Sequence, residues 1–309
     1  MTELDFHSLA AADDFFVVAM PDGALLPVYE LAGPKGAPAL LFGHANGLAA
    51  GSYEPWLRLL ARRLNVFAFD ARGHGGSRWP EGALEEVFGD DRMAEDLLPL
   101  TRAVAARAAG TPLAYAGHSL GAEAALRLLV LGHAPAWSTF IAIEPPIFPT
   151  PDCRCYAMAI GIHVHLLRGT ARRRRDWSSP AALFERIKTV PMFRHADRAM
   201  LMAHCHAILR PLPEGGFRLC CPPEVENMIY RVHGEADTWS RLGRITRPVE
   251  IIGGDPATPQ NDWISSAMPE LAALLPRARL ATVAGTGHMP MFEKPDQCAG
   301  LVFERLGLI

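Results

Sequence analysis

Apolar and polar positions follow two rhythms along this chain. Phe15–Met20 and Leu25–Leu31 read as extended runs joined by Pro21-Asp22-Gly23, which predicts an antiparallel hairpin. Ala39–Phe42, Val66–Phe69, Leu113–Ala116 and Phe140–Ile143 are short apolar runs, the pattern of strands buried on both faces. Between them lie segments with helical spacing: 52–64, 90–109 and 122–131. In the first of these, Trp56, Leu59, Leu60 and Leu64 fall on one face. Acids in the first turns of 90–109 suit the positive end of a helix dipole. Strands separated by helices of this length imply βαβ units and a parallel sheet.

The alternation stops from about Phe148 to Arg244. That span holds the Arg172–Arg175 run, read as a solvated face, and repeated proline breaks. The rhythm returns with Val249–Ile252, a helix over 261–275, a strand at Leu280–Val283 and a closing helix through Phe303. The expected organisation is a sheet domain built from 1–147 and 245–309, interrupted by a mostly helical segment at 148–244.

Composition narrows the function classes. Lys+Arg 30 against Asp+Glu 33 gives a net charge of −3 over 309 residues, which speaks against a basic nucleic-acid-binding face. At 50% hydrophobic and 20% charged the chain is globular in character. No run reaches the roughly 18 apolar residues of a membrane helix. The opening MTELDFHSLAAADDF does not read as a targeting segment, so a cytoplasmic location and no membrane partner are expected. Six cysteines, at 153, 155, 205, 220, 221 and 298, lack the two-to-four-residue spacing of zinc pairs. Reduced thiols and no metal are expected.

The sharpest chemical signal is Gly117-His118-Ser119-Leu120-Gly121, placed between a buried strand and an alanine-rich helix. A G-x-S-x-G turn in that setting presents a serine nucleophile. Such a serine needs a histidine base and an orienting carboxylate, in the chain order Ser, Asp/Glu, His. Asp255, just past Val249–Ile252, and His288, just past the last strand, answer that need. Both stand at carboxyl ends of strands, where open α/β sheets place their sites. Glu144 at the end of Phe140–Ile143 and Asp262 are rivals for the acid, Asp262 reading more simply as a helix cap. Glu123 reads as a first-turn helix acid.

With Gly43-His44-Ala45-Asn46-Gly47, Asp70-Ala71-Arg72-Gly73-His74-Gly75-Gly76-Ser77, the serine turn and Gly287-His288, the chain resembles the α/β-hydrolase superfamily. The resemblance implies a mostly parallel, doubly wound sheet with a helical cap inserted after the sixth strand. It implies Ser119 as nucleophile, His288 as base and Asp255 as acid. It implies an oxyanion hole from the backbone N–H groups of Leu120 and Asn46, with Ala45 standing where such enzymes usually carry glycine. His118 is placed as shaping the serine turn and as a substrate contact; Asp70 and His74 belong to a structural turn. Met192, Phe193, Met200, Leu201, Met202, Trp177 and Phe184 could line a pocket, although cap core is the simpler role for each. The expected activity is carboxylic ester hydrolysis of a small to medium hydrophobic small-molecule substrate through an acyl-enzyme, without a cofactor. C–C bond hydrolysis, lactonase or haloperoxidase chemistry, or ligand binding on the same fold are the alternatives.

Overall fold

The computed structural model describes residues 5–108, 110–234, 237–258 and 263–309. In chain order the strands are β1 (Asp14–Ala19), β2 (Leu25–Leu31), β3 (Ala39–Gly43), β4 (Asn65–Phe69), β5 (Leu113–His118) and β6 (Phe140–Ile143). After them come the short β7 (Asp176–Trp177), β8 (Leu209–Pro211) and β9 (Phe217–Leu219), then β10 (Val249–Gly254) and β11 (Ala278–Val283). Eight form one sheet in the order β1-β2-β4-β3-β5-β6-β10-β11. The hairpin edge is antiparallel, and every pairing from β4 across to β11 is parallel. β3, β5, β6 and β10 are buried along their whole length, as strands covered on both faces must be.

Register brings four strand ends to one edge. Gly43 pairs with Gly117, His118 with Ile143, and Ile143 with Ile252. The residues that follow these ends, 44–46, 119, 144 and 255, therefore emerge side by side.

The helices depart from the sequence reading in physically sensible ways. The expected 90–109 helix is two, Asp90–Glu95 and Leu97–Arg107. Pro99 has no N–H to give the Glu95 carbonyl, and its ring crowds that carbonyl. The expected 52–64 helix begins with a 3-10 turn, Ala50–Tyr53, before Glu54–Ala61, whose Trp56, Leu57 and Leu60 are buried. The start of the expected 261–275 helix lies outside the described residues, as does Asp262; Trp263–Leu274 is helical.

Among the described residues, five α-helices, a 3-10 turn and a three-stranded antiparallel sheet, β7-β9-β8, occupy the span between β6 and β10. The span is thus less purely helical than its sequence suggests. Leu183, Phe184, Met200, Leu201 and Cys205 from this insertion join one hydrophobic cluster with Trp56, Leu57 and Phe292. It shares core with the sheet domain. No helix among the described residues is long and apolar enough to cross a membrane.

Candidate active site

Ser119 stands between β5 and the helix Leu120–Val130. Its φ of 52° is strained for a residue with a Cβ. The turn closes because its neighbours are glycine. A Cβ on Gly121 would lie 2.4 Å from the Gly43 carbonyl oxygen, and one on Gly117 would lie 2.4 Å from the Gly121 carbonyl carbon. The Ser119 N–H donates to the Ile143 carbonyl (3.0 Å), fastening the turn to β6. Its hydroxyl faces His288, with Oγ 3.1 Å from Nε2.

The other ring nitrogen of His288 meets Glu144. Nδ1 lies 3.1 Å from Glu144 Oε2. Glu144 is completely buried and holds φ 47°, a second strained non-glycine residue. Its N–H donates to the Ile252 carbonyl (2.9 Å). Its carboxylate accepts from the Gly254 N–H (2.5 Å) and from Ser265 Oγ (2.9 Å) as well as facing His288. A buried carboxylate needs such a set of donors.

Asp255 does not occupy that position. Its Oδ1 accepts from the Ala257 N–H and its Oδ2 from the Gly285 N–H, each at 2.9 Å. These bonds, the Gly285 one foremost, hold its carboxyl below the usual carboxylate range. The bond to Ala257 is an Asx turn, the ordinary use of Asp before a turning segment. The expectation that Asp255 orients the base is therefore corrected to Glu144. The carboxylate that faces His288 comes from the end of β6, next to the serine strand, and not from the end of β10.

His118 is also corrected. It is fully buried, and both ring nitrogens are taken. Nε2 lies 2.9 Å from the His288 carbonyl, which only accepts, so Nε2 carries the proton. Nδ1 therefore accepts from Tyr53 OH at 2.7 Å, and the Tyr53 oxygen accepts the Ala45 N–H at 3.1 Å. Burial, reinforced by neighbouring His288, pushes the His118 ring far toward its neutral form. The side chain is not among those lining the cavity at Ser119. It ties the His288 segment, through Tyr53, to the loop after β3.

That loop is pinned from several sides. His44 Nδ1 donates to the Ala45 carbonyl (2.8 Å), leaving Nε2 to accept the Ala71 N–H (2.9 Å). His74 donates from Nδ1 to the Arg72 carbonyl and accepts the Gly47 N–H at Nε2. Burial, with His44 close by, takes its pKa down to about 3 and keeps it neutral. Asp70 anchors the same turn by accepting from Ser8, Tyr29, Ala50 and Gly76. The Asn46 side chain donates to the Glu226 carbonyl of the insertion (3.1 Å). The N–H groups of Asn46 and Leu120 have no acceptor among the described residues, and both residues line the cavity at Ser119. Two unpaired donors beside a nucleophile are what an oxyanion requires.

The cavity, of about 100 Å³, is walled mostly by apolar side chains, among them Phe148, Ile162, Leu166, Ile229 and Trp263. Of the insertion side chains suggested by sequence, Met192 lines it; Phe184, Phe193, Met200 and Leu201 are core. Sequence reasoning missed Tyr230 and His233, which helical spacing along Pro223–His233 places with Ile229 on the inner side.

The alpha/beta hydrolase family profile matches residues 40–301. The chain belongs to the alpha/beta hydrolase family. Among its relatives, the pimeloyl-[acyl-carrier protein] methyl ester esterase of Nitrosomonas europaea is 24% identical over 84% of this chain and 92% of its own. The enzyme of the same name from Xanthomonas oryzae pv. oryzae is 28% identical over 84% of this chain and 91% of its own. Among solved structures, E-2-(acetamidomethylene)succinate hydrolase superposes with a TM-score of 0.75 at 20% identity, covering 95% of this chain and 100% of the other. Both of these sequence relatives are named as ester hydrolases.

Proposed function

We propose that this protein is a serine ester hydrolase that works through Ser119, His288 and Glu144, with the Leu120 and Asn46 N–H groups as its oxyanion hole. The observation that carries this reading is the continuous line Glu144–His288–Ser119, with steps of 3.1 Å, opening onto a cavity. Ser119 attacks the ester carbonyl while His288 Nε2 takes the hydroxyl proton. Glu144 holds the imidazole with its proton on Nδ1 and balances the imidazolium that forms. The two N–H groups receive the tetrahedral oxyanion. His288 then protonates the leaving alcohol, activates water, and the acyl-enzyme is hydrolysed.

The segment 148–244 acts as a cap that shapes the pocket, since Ile162, Leu166, Met192, Ile229 and Tyr230 all come from it. A small or medium acyl group suits so limited and so apolar a cavity. The relatives named above act on a carrier-bound methyl ester; for this chain we take from them the ester class alone. The test is hydrolysis of p-nitrophenyl esters of graded length by wild type and Ser119→Ala. Turnover that disappears in the variant supports the reading; equal rates in the two would end it.

A further inference from the structure

One charged group has no task in ester hydrolysis as derived above. Glu123 lies one helical turn after Ser119, its N–H donating to the Ser119 carbonyl at 2.9 Å, and its side chain lines the same cavity. Its Oε2 is 2.8 Å from His233 Nδ1, and His233 Nε2 is 2.8 Å from Asp90 Oδ1. The imidazole of the insertion's helix Pro223–His233 is thus held between two carboxylates of the sheet domain. All three groups are buried or nearly so: side-chain exposures are 7% for Glu123, 9% for His233 and 20% for Asp90.

Burying ions in an apolar wall is unfavourable unless each is matched. Here the charges do not match. Two carboxylates and one imidazolium leave a surplus negative charge, and Glu123 presents it to the cavity. Oε1 of Glu123 has no partner among the described residues. Burial lifts its carboxyl to about 7, with His233 opposing that rise. Each ring nitrogen of His233 lies 2.8 Å from a carboxylate, which leaves Glu123 as the charged group able to meet a ligand.

We propose that Glu123 is a specificity-determining residue that accepts a hydrogen bond from a hydroxyl or amine on the substrate, a few atoms from the ester carbonyl, and that its charge excludes substrates bearing a free carboxylate there. The inference rests on Ser119 being the nucleophile. Glu123 follows Ser119 by one turn, so an ester bound at Ser119 sets its neighbouring atoms against this side chain. A site built to pair with a polar substituent discriminates against its apolar analogue, because the buried group is otherwise left alone.

The experiment compares kcat/KM for p-nitrophenyl butanoate, p-nitrophenyl 3-hydroxybutanoate and mono-p-nitrophenyl succinate. The same contrast is made on the alcohol side with ethyl and 2-hydroxyethyl butanoate. Wild type should prefer a hydroxylated ester over its plain analogue by at least about tenfold and turn over the succinate worst. Glu123→Leu should remove that preference. Glu123→Gln, which keeps an accepting oxygen without charge, should retain the hydroxyl preference and relieve the discrimination against succinate. Should the Leu variant not fold, the Gln variant's succinate ratio decides. Identical ratios in wild type and variants overturn the inference while leaving the hydrolase reading intact. Absence of turnover with every ester, together with no labelling of Ser119 by a fluorophosphonate, overturns both.

Discussion

Exchanging Glu144 for Gln separates the two carboxylates that compete for the acid's role. The Gly254 N–H points at Oε1, so in the variant the amide oxygen must take that place. The NH2 group then faces His288 Nδ1, where Oε2 stood. Two donors cannot share that contact, so the imidazole must accept at Nδ1 and carry its proton on Nε2. That proton points at Ser119 Oγ, and the base is already occupied. An acid-to-amide change with this consequence lowers kcat by about 10⁴-fold, or about 5 kcal/mol of barrier. Asp255→Asn should cost far less in kcat/KM, because among the described residues its carboxylate faces backbone N–H groups and not His288. The assay is steady-state hydrolysis of a p-nitrophenyl ester, with thermal unfolding of both variants to establish that each is folded. If Asp255→Asn lost about three orders of magnitude while Glu144→Gln stayed active, the geometry would have been misread and the reasoning would fail.

Tyr53→Phe should leave the Ala45 N–H and His118 Nδ1 buried without partners, lowering stability by about 2 kcal/mol or more. Chemical denaturation reads the loss, and kinetics should show kcat falling more than KM rises, because the loop after β3 and the His288 segment lose their common tie. Stability at alkaline pH should depend on His233. Burial alone would depress its pKa, but Glu123 and Asp90 outweigh burial and raise it to about 10. A raised pKa gives stability that is complete below the unfolded value of about 6.5 and is lost as pH rises through about 10. Thermal midpoints between pH 7 and 10.5 should therefore fall more steeply in wild type than in His233→Gln; parallel curves would refute this.

Much of the architecture was legible because buried parallel strands leave uniform apolar runs, as Ala39–Phe42 and Phe140–Ile143 do. Ser119 and His288 were legible for a similar reason: each sits in a short glycine-bearing segment directly after a strand. The acid was not, because Asp255 and Glu144 both follow buried strands and both precede proline. What separates them is the direction of the next two residues. Asp255 folds back on Ala257, whereas Glu144 adopts a positive φ that turns its side chain toward a histidine 144 positions away. Asp255-Pro256-Ala257 carried a local hint in its Asx-turn character. His118 shows the same limit. Sequence placed it beside the nucleophile, but the last residue of a strand points to one face only, and here that face is the core. The opposition of Glu123 and His233, 110 residues apart, has no local signature at all.

Taking the acid from β6 also changes how the enzyme should fail when warmed. Ser119 and Glu144 are each fastened through their own N–H to the neighbouring strand, to Ile143 and Ile252. Their separation is governed by the inter-strand spacing of about 4.8 Å. His288 stands on the segment beyond β11, a loop and not a strand end, held to Asp255 through the Gly285 N–H and the Thr286 carbonyl, to Glu293 through the Gly287 N–H, and to His118 through the His288 carbonyl. A local opening of 284–294 removes the base while the other two remain in register. Heat should therefore silence catalysis reversibly before the sheet melts, with amide exchange at 285–288 outpacing that of β5 and β6. Bracing that one segment should extend the working temperature without moving the global melting point.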